Sequence, residues 1–290
     1  MEKKKKKMKN NYLPWLFLGP SLMGFSLFYL FPFVNGFYYS LVNSPLDGAF
    51  VGLDNYLALL KNPSFLSALA NTGKFTLICV PLNMILSLGA ALLLNKKIQG
   101  RNLFRTIFIM PLVVPVASVV LIWQAFFDIN GVLNSLIHAL GYQPVDWMKT
   151  DWARVVVLVV YLWKNIGYSM ILFLTGLQNI PVEYYEAARI DGAGRVQEFF
   201  RITLVYLTPT AFFVFVISII NSFKVFRETY LISGEYPHNS IYMLQHYMNN
   251  TFMSLDYQKL TSAAFIMALF IVAVVLLLFM IERKISSMIN

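Results

Sequence analysis

Six apolar segments, each long enough to cross a lipid bilayer, constrain the fold of this chain more than any other feature. A transmembrane helix needs about 20 mainly apolar residues. The segments lie near residues 13–41, 73–94, 103–127, 153–178, 204–232 and 260–282. Only 13% of the residues are charged, whereas a soluble domain has about 25%. We therefore predict an all-α, polytopic membrane protein with six transmembrane helices.

The chain begins with the lysine-rich stretch MEKKKKKMKN, which could be the first part of a signal peptide. The apolar stretch that follows has about 30 residues, whereas the apolar region of a signal peptide has about 7–15. We therefore interpret this stretch as the first transmembrane helix.

The lysines and arginines of the short connections predict the orientation. Fifteen of them lie at the two termini, after the second segment and after the fourth. They are Lys3 to Lys7, Lys9, Lys96, Lys97, Arg101, Arg105, Arg189, Arg195, Arg201, Arg283 and Lys284. The opposite connections hold Lys61, Lys149 and Lys259. Because cytoplasmic loops are enriched in Lys and Arg, we predict that both termini and the loop 179–203 are cytoplasmic.

This pattern divides the chain into three parts. Residues 1–12 form a basic cytoplasmic N-terminus, residues 13–282 a six-span domain, and residues 283–290 a cytoplasmic C-terminus. The net charge of +9 follows from the same distribution of lysine and arginine, so we predict contact with membrane lipid and none with nucleic acid.

The chain contains no motif that would supply energy or catalysis. An ATP-binding loop has the pattern GxxxxGK[ST], but the pair Gly73-Lys74 lacks the upstream glycine and precedes Phe75. Cys79 is the single cysteine, and the three histidines have no metal-site spacing. We predict a non-enzymatic subunit without metal or cofactor of its own, and expect its energy to come from a partner.

Two prolines, Pro111 and Pro115, interrupt the third apolar segment. Proline lacks a backbone donor and kinks a helix, which membrane proteins tolerate where neighbours or water satisfy the freed carbonyls. The prolines predict either a kinked helix beside a central pathway or a well-packed helix.

A charged, glycine-punctuated stretch, EYYEAARIDGAGRVQEFFRITLVYLTPT, runs from Glu183 to Thr210. Pro181 suits the first turn of a helix, where its missing N–H costs nothing. The sequence Asp191-Gly192-Ala193-Gly194 predicts the end of that helix, with a glycine in the left-handed conformation. Glu186 and Arg189 are spaced for an i,i+3 ion pair.

A second short helix should follow, with Val196, Phe199, Phe200 and Ile202 on one face. Two helices at the membrane surface would form an elbow. This elbow either presents a surface to a soluble partner or is an amphipathic interfacial loop without a partner.

This loop resembles the EAA loop of the membrane subunits of binding-protein-dependent ABC importers. That pattern is EAA, three residues, Gly, nine residues, and Ile-x-Leu-Pro. The matching residues are Glu186-Ala187-Ala188, Gly192 and Ile202-Thr203-Leu204. Val205 replaces the usual proline, and we expect Pro209 to supply part of the missing kink.

Over nearly its whole length, the chain is similar to the carbohydrate-uptake branch of that family, the maltose-type and glycerol-3-phosphate-type permeases. The similar segments are Phe50-Val51-Gly52-Leu53-Asp54-Asn55-Tyr56, Met110-Pro111, Trp163-Lys164 with Tyr168, and Leu177-Gln178-Asn179-Ile180-Pro181.

The resemblance implies a coupling helix that docks in a cleft of a cytoplasmic ATPase subunit. The contacting residues would be Glu186, Ala187, Ala188, Asp191 and Gly192. It also implies a bacterial inner-membrane assembly with two ATPase subunits, which bind ATP and Mg²⁺, and an extracytoplasmic solute-binding protein. A different but homologous second permease, rather than a second copy of this chain, would complete it.

Polar residues of the fourth and fifth segments are candidates for the solute path. They are Trp163, Lys164, Tyr168, Asn221, Lys224, Arg227 and Glu228. A charge within a span faces water or a partner rather than lipid, and Asn221, Lys224 and Glu228 share a helix face. The alternative is a group of interfacial snorkelling residues with a Lys224–Glu228 salt bridge.

We therefore predict a permease subunit that forms half of the pathway for a carbohydrate, specifically an oligosaccharide, by alternating access. Glycerol-3-phosphate or another phosphosugar or polyol is the alternative, because Lys164, Lys224 and Arg227 suit a phosphate. A self-sufficient secondary transporter is a further alternative, which predicts uptake driven by an ion gradient alone.

Overall fold

The computed structural model describes residues 13–46, 48–96 and 98–289, and these are helical apart from loops and one isolated bridge between Val42 and Phe50. The predicted N-terminal segment 1–12 lies outside the described residues. The helices are α1 (Leu13–Phe25), α2 (Phe31–Ser40), α3 (Asp54–Leu60), α4 (Pro63–Asn95), α5 (Arg101–Val113), α6 (Val116–Phe127), α7 (Val132–Ala139), α8 (Ala153–Gln178), α9 (Val182–Ile190), α10 (Arg195–Glu198), α11 (Leu204–Lys224), α12 (Phe226–Ser233), α13 (Leu244–Met253) and α14 (Tyr257–Ile289). Wider π-helical turns at Ser26–Leu30 and Phe199–Thr203 join α1 to α2 and α10 to α11.

Among the described residues, six helices or helix runs are long and apolar enough to cross a membrane, as predicted. They are Trp15–Ser40, Pro63–Asn95, Val116–Ala139, Ala153–Gln178, Arg195–Ser233 and Tyr257–Met280. The second begins at Pro63 rather than near residue 73. The reason is local, since the Asn62 side chain accepts hydrogen bonds from the backbone N–H groups of Ser64 and Phe65 and so caps the helix.

The third predicted segment is broken at its second proline. Helix α5 ends at Val113, and Pro115, with φ −57° and ψ 137°, precedes α6. Pro111 lies inside α5 and is buried. The two prolines therefore act differently, because Pro115 interrupts the helix whereas Pro111 is packed.

Helices α4, α8 and α11 form the centre of the bundle. Hydrogen bonds join them, since the Asn83 amide donates to the Ser169 and Ser218 hydroxyls at 2.9 and 3.0 Å. The Tyr161 hydroxyl donates to the Ser218 carbonyl at 2.9 Å. Such contacts satisfy polar groups between transmembrane helices.

Two other features determine the outline of the bundle. Helix α5 passes so close to α8 that a Cβ added at Gly167 would lie 1.7 Å from the Phe108 carbonyl oxygen, so only glycine fits there.

The first span has no buried residue in its most apolar window. Its end at α2 contacts α14, where Phe33 and Phe37 pack on Phe265. The rest of this span presents apolar side chains on all sides.

Candidate functional site

The loop after α8 forms the predicted elbow from α9 and α10. Helix α9 begins at Val182, and Pro181 is its N-cap rather than part of its first turn. At its other end, Gly192 has φ +81°. The Gly192 N–H donates to the Arg189 carbonyl at 3.1 Å, and the Ala193 N–H donates to the Ala188 carbonyl at 2.8 Å. This pair of bonds is the Schellman motif, and it confirms the predicted left-handed glycine.

An ion pair joins the two short helices. Arg189 Nε donates to Glu198 Oε1 at 2.7 Å, so the predicted pair with Glu186 is replaced by one across the elbow. This partner was missed because the fold of the turn, and not helical spacing, brings Glu198 near. The hydrogen bond and the charge of the Glu198 carboxylate raise the pKa of Arg189. The guanidinium therefore remains charged and holds α9 against α10.

The predicted ATPase-coupling residues lie on the outside of the elbow. Glu186, Ala187, Asp191 and Gly192 are exposed, and Ala188 is half-buried. The same loop also exposes the apolar residues Val182, Ile190, Val196 and Phe200, with Ile190 86% exposed. Exposed apolar residues rimmed by polar ones are typical of an interaction site.

The apolar face predicted for the second helix is divided between two environments. Val196 and Phe200 are exposed, whereas Phe199 and Ile202 are half-buried. The π-helical turn from Phe199 to Thr203 changes the angular spacing of the side chains, so the four do not share a face.

A cavity of about 130 Å³ lies between α5, α8, α11 and α12. Its lining residues are Leu112, Val160, Tyr161, Lys164, Asn165, Asn221, Lys224, Val225, Arg227 and Glu228. It thus brings together Lys164, Asn221, Lys224, Arg227 and Glu228, five of the seven predicted solute-path residues. Trp163 and Tyr168 do not line it. Trp163 packs edge-on against Trp123, with 5.6 Å between the ring centres.

The charged groups of this cavity pair differently from the prediction. Glu228 is buried and forms an ion pair with Lys164 of α8, not with Lys224. The reason is that α11 ends at Lys224 and α12 begins at Phe226, so regular i,i+4 spacing is interrupted at Val225. Lys224 and Arg227 are exposed, and the cavity therefore carries three cations and one carboxylate.

Two polar residues that line the cavity, Tyr161 and Asn165, were not predicted. Asn221 donates to the Asn165 side-chain oxygen at 2.9 Å, and Asn165 donates to the Tyr161 carbonyl at 2.8 Å. An amide within an apolar span is a recognisable signal, and Asn165 directly follows Lys164. Within the described ranges, no group of three or more His, Cys, Asp or Glu side chains is placed to hold a metal ion.

Residues 83–287 match the family described as "Binding-protein-dependent transport system inner membrane component". The chain is 35% identical to the arabinooligosaccharides transport system permease protein AraP of Bacillus subtilis (strain 168), over 76% of this chain and 71% of that protein. It is 33% identical to the lactose transport system permease protein LacF of Rhizobium radiobacter, over 81% and 82%.

The fold also matches a solved structure. A chain of a bacterial ABC transporter involved in the import of the acidic polysaccharide alginate superimposes with a TM-score of 0.84. The match covers 97% of this chain and 98% of that chain, at 22% identity. At this identity the match establishes a shared fold.

Proposed function

Because the chain belongs to the family of binding-protein-dependent transport system inner membrane components, we propose that it forms one half of the translocation pathway of an importer for an oligosaccharide. It is a non-catalytic permease subunit of an ABC importer for sugars, and a multi-pass inner-membrane protein that works with a binding protein and ATPase subunits. An oligosaccharide is favoured because AraP, at 35% identity, is named for arabinooligosaccharides.

The observation that carries this proposal is the polar, charged cavity between α5, α8, α11 and α12. A sugar exchanges its water shell for hydrogen-bonding groups when it enters a membrane protein. Asn221 and Lys224 offer such groups beside the Lys164–Glu228 ion pair. Because a charged residue within a span is costly, such residues commonly mark the path of a transported solute.

The cavity lies between two helix interruptions, which suits alternating access. Leu112 belongs to the last turns of α5, just before the break at Pro115, and Val225 separates α11 from α12. Interrupted helices commonly surround transported solutes in membrane carriers. We expect the two interruptions to act as hinges when the cavity opens to one side and then to the other.

The elbow of α9 and α10 supplies the coupling in this proposal. Glu186, Ala187, Ala188, Asp191 and Gly192 would contact the ATPase, and the same loop exposes apolar residues. This assignment requires the cytoplasmic placement of the loop 179–203 and of both termini that the charge distribution predicts. ATP and Mg²⁺ would bind to the ATPase subunits, so the chain needs no cofactor of its own.

A second permease is also part of the proposal. The first span exposes apolar side chains on all sides, so it needs lipid or another membrane protein around it. A homologous, different permease would form the other half of the pathway, and an extracytoplasmic binding protein would deliver the sugar.

A phosphorylated solute such as glycerol-3-phosphate is the second candidate. The specific observation in its favour is the charge of the cavity, where Lys164, Lys224 and Arg227 outnumber Glu228. A phosphate oxyanion would pair with these cations.

The test is uptake by vesicles that contain the assembled transporter with Asn221→Ala or Lys224→Gln. We expect each variant to alter uptake and to leave the association with the ATPase unchanged. Lys149→Gln, which lies outside this cavity, is the matched control and should have normal uptake. Labelled oligosaccharides and glycerol-3-phosphate are compared as solutes, with and without ATP. If neither variant changes uptake, the cavity is structural. If an ion gradient alone drives uptake, the importer mechanism is wrong for this chain.

A further inference from the structure

Two adjoining cavities lie at the end of the bundle where α4 and α8 begin. The larger, about 680 Å³, has polar lining residues that include Ser64, Ser67, His238 and Asn239. The smaller, about 240 Å³, has the apolar lining residues Phe75, Ile78, Val155, Leu158, Ile241 and Met243. Both are lined by Asn71, Lys74, Arg154 and Ser240. A hydroxyl-rich space therefore meets an apolar space at a shared border.

Two cations form this border. Lys74 of α4 and Arg154 in the first turn of α8 are exposed and lie on neighbouring helices. Arg154 Nε donates to the Ser240 carbonyl at 3.3 Å, which holds the guanidinium beside the loop before α13. Its Nη2 lies 3.7 Å from Asp151 Oδ1, but the Asp151 side chain is 81% exposed and lines only the larger cavity. The border is thus net positive.

The loop that lines one side of the larger cavity is fixed by hydrogen bonds. The Asn71 amide donates to the Asn239 and Tyr242 carbonyls at 2.7 and 3.1 Å. The buried Thr72 hydroxyl accepts from the Leu244 N–H at 2.9 Å. Because the polar walls are held in place, the cavity exists before any ligand arrives.

We propose that these cavities hold one anionic phospholipid. Its phosphate would lie between Lys74 and Arg154, its headgroup hydroxyls in the larger cavity, and part of one acyl chain in the smaller cavity. A guanidinium group binds phosphate oxygens through paired hydrogen bonds, and the ammonium group of a lysine adds a point charge for the same phosphate. The order of chemistry along the site, from hydroxyl partners to cations to apolar residues, matches the order along phosphatidylglycerol. This proposal does not depend on the transported solute.

The experiment uses the whole transporter complex, purified through a tag on this chain and examined by native mass spectrometry. The lipids compared are phosphatidylglycerol and phosphatidylcholine. Each basic residue near an anionic surface contributes enough binding energy that its removal should weaken phosphatidylglycerol binding about fivefold. We therefore expect a loss of about fivefold in Lys74→Gln, and of about 25-fold in Lys74→Gln with Arg154→Gln.

Two further variants keep the test specific. Lys61→Gln removes an exposed lysine that lines neither cavity, so its phosphatidylglycerol binding should equal that of the unmodified complex. Val155→Phe fills the apolar cavity without a change of charge, and should weaken lipid binding while leaving the border cations intact. Glycerol phosphate, which has the headgroup chemistry without acyl chains, should not displace the lipid.

Three results would overturn the proposal. The first is equal binding of the two phospholipids to the unmodified complex. The second is displacement by glycerol phosphate together with a normal Val155→Phe variant, which would identify a site for free phosphate compounds. The third combines two observations: Ile78→Cys cross-links to a helix of the second permease, and the Lys74 and Arg154 variants bind lipid normally. Together they would identify a protein as the occupant of the site.

Discussion

Replacement of Gly192 tests the proposed coupling most directly. This residue ends α9 with φ +81°, and its N–H and that of Ala193 satisfy the last carbonyls of the helix. We expect Gly192→Val to separate ATP hydrolysis from sugar uptake, while the subunit still reaches the membrane.

The size of the effect follows from backbone conformation and not from a clash. Chain neighbours aside, no described atom lies within 4 Å of the position that a Cβ would take at Gly192. The left-handed conformation costs an L-residue about 1–2 kcal/mol, and a β-branched residue tolerates it least. A penalty of that size would lower the ratio of the native helix end to its non-native alternatives by a factor of about 5–30.

The assay measures ATP hydrolysed per sugar imported in vesicles that contain the full transporter and its binding protein. Gly192→Val should raise this ratio about fivefold or more, with normal amounts of subunit in the membrane. Gly192→Asn is the matched control, because asparagine tolerates the left-handed conformation; it should remain close to the unmodified transporter.

Two outcomes would contradict this reasoning. Normal coupling in Gly192→Val would show that this loop does not transmit the energy of ATP. An equal defect in Gly192→Asn and Gly192→Val would show that bulk in a partner's cleft matters, and that backbone conformation does not.

The other predictions concern the two ion pairs. Glu228→Gln should destabilise the subunit by about 2 kcal/mol, as measured by thermal unfolding in detergent. This is less than the roughly 3–5 kcal/mol lost when a fully buried pair is broken, because 28% of the Lys164 side chain is exposed. The double variant with Lys164→Met should be more stable than Glu228→Gln alone. Equal stability of the single and double variants would show that the unpaired Lys164 is not what destabilises Glu228→Gln. Arg189→Glu should weaken coupling of ATP hydrolysis to uptake, and Glu198→Arg in the same chain should restore it; failure of this rescue would mean that the ion pair does not hold the elbow.

The structure of the loop 179–203 was largely predictable from the sequence because it depends on near neighbours. A glycine four residues after the EAA alanine predicts a helix end, and the structure has that end at Gly192. The partner of Arg189 was not predictable in this way. Glu198 is nine residues away, and only the turn between α9 and α10 brings the two charges together.

In the cavity between α5, α8, α11 and α12, too, the residue types were predictable and their pairing was not. The polar residues of α8 and α11 were recognisable because charges and amides are unfavourable within apolar spans. Which of them meet depends on helix packing. The interruption at Val225 places Glu228 beside Lys164, 64 residues earlier in the chain, whereas uninterrupted helical spacing would have paired it with Lys224. The same packing places Trp163 against Trp123 and outside the cavity.

The sequence by itself determined that this chain has six apolar spans, a glycine-ended surface helix and no energy-supplying motif of its own. These properties depend on side-chain hydrophobicity, local backbone preference and the presence or absence of short patterns, all of which are written in consecutive residues. Only the tertiary structure decided which of the two prolines breaks the third span, which charges pair and where the cavities lie. Those features depend on the close approach of distant helices, such as α5 against Gly167 of α8, and no local pattern encodes that geometry.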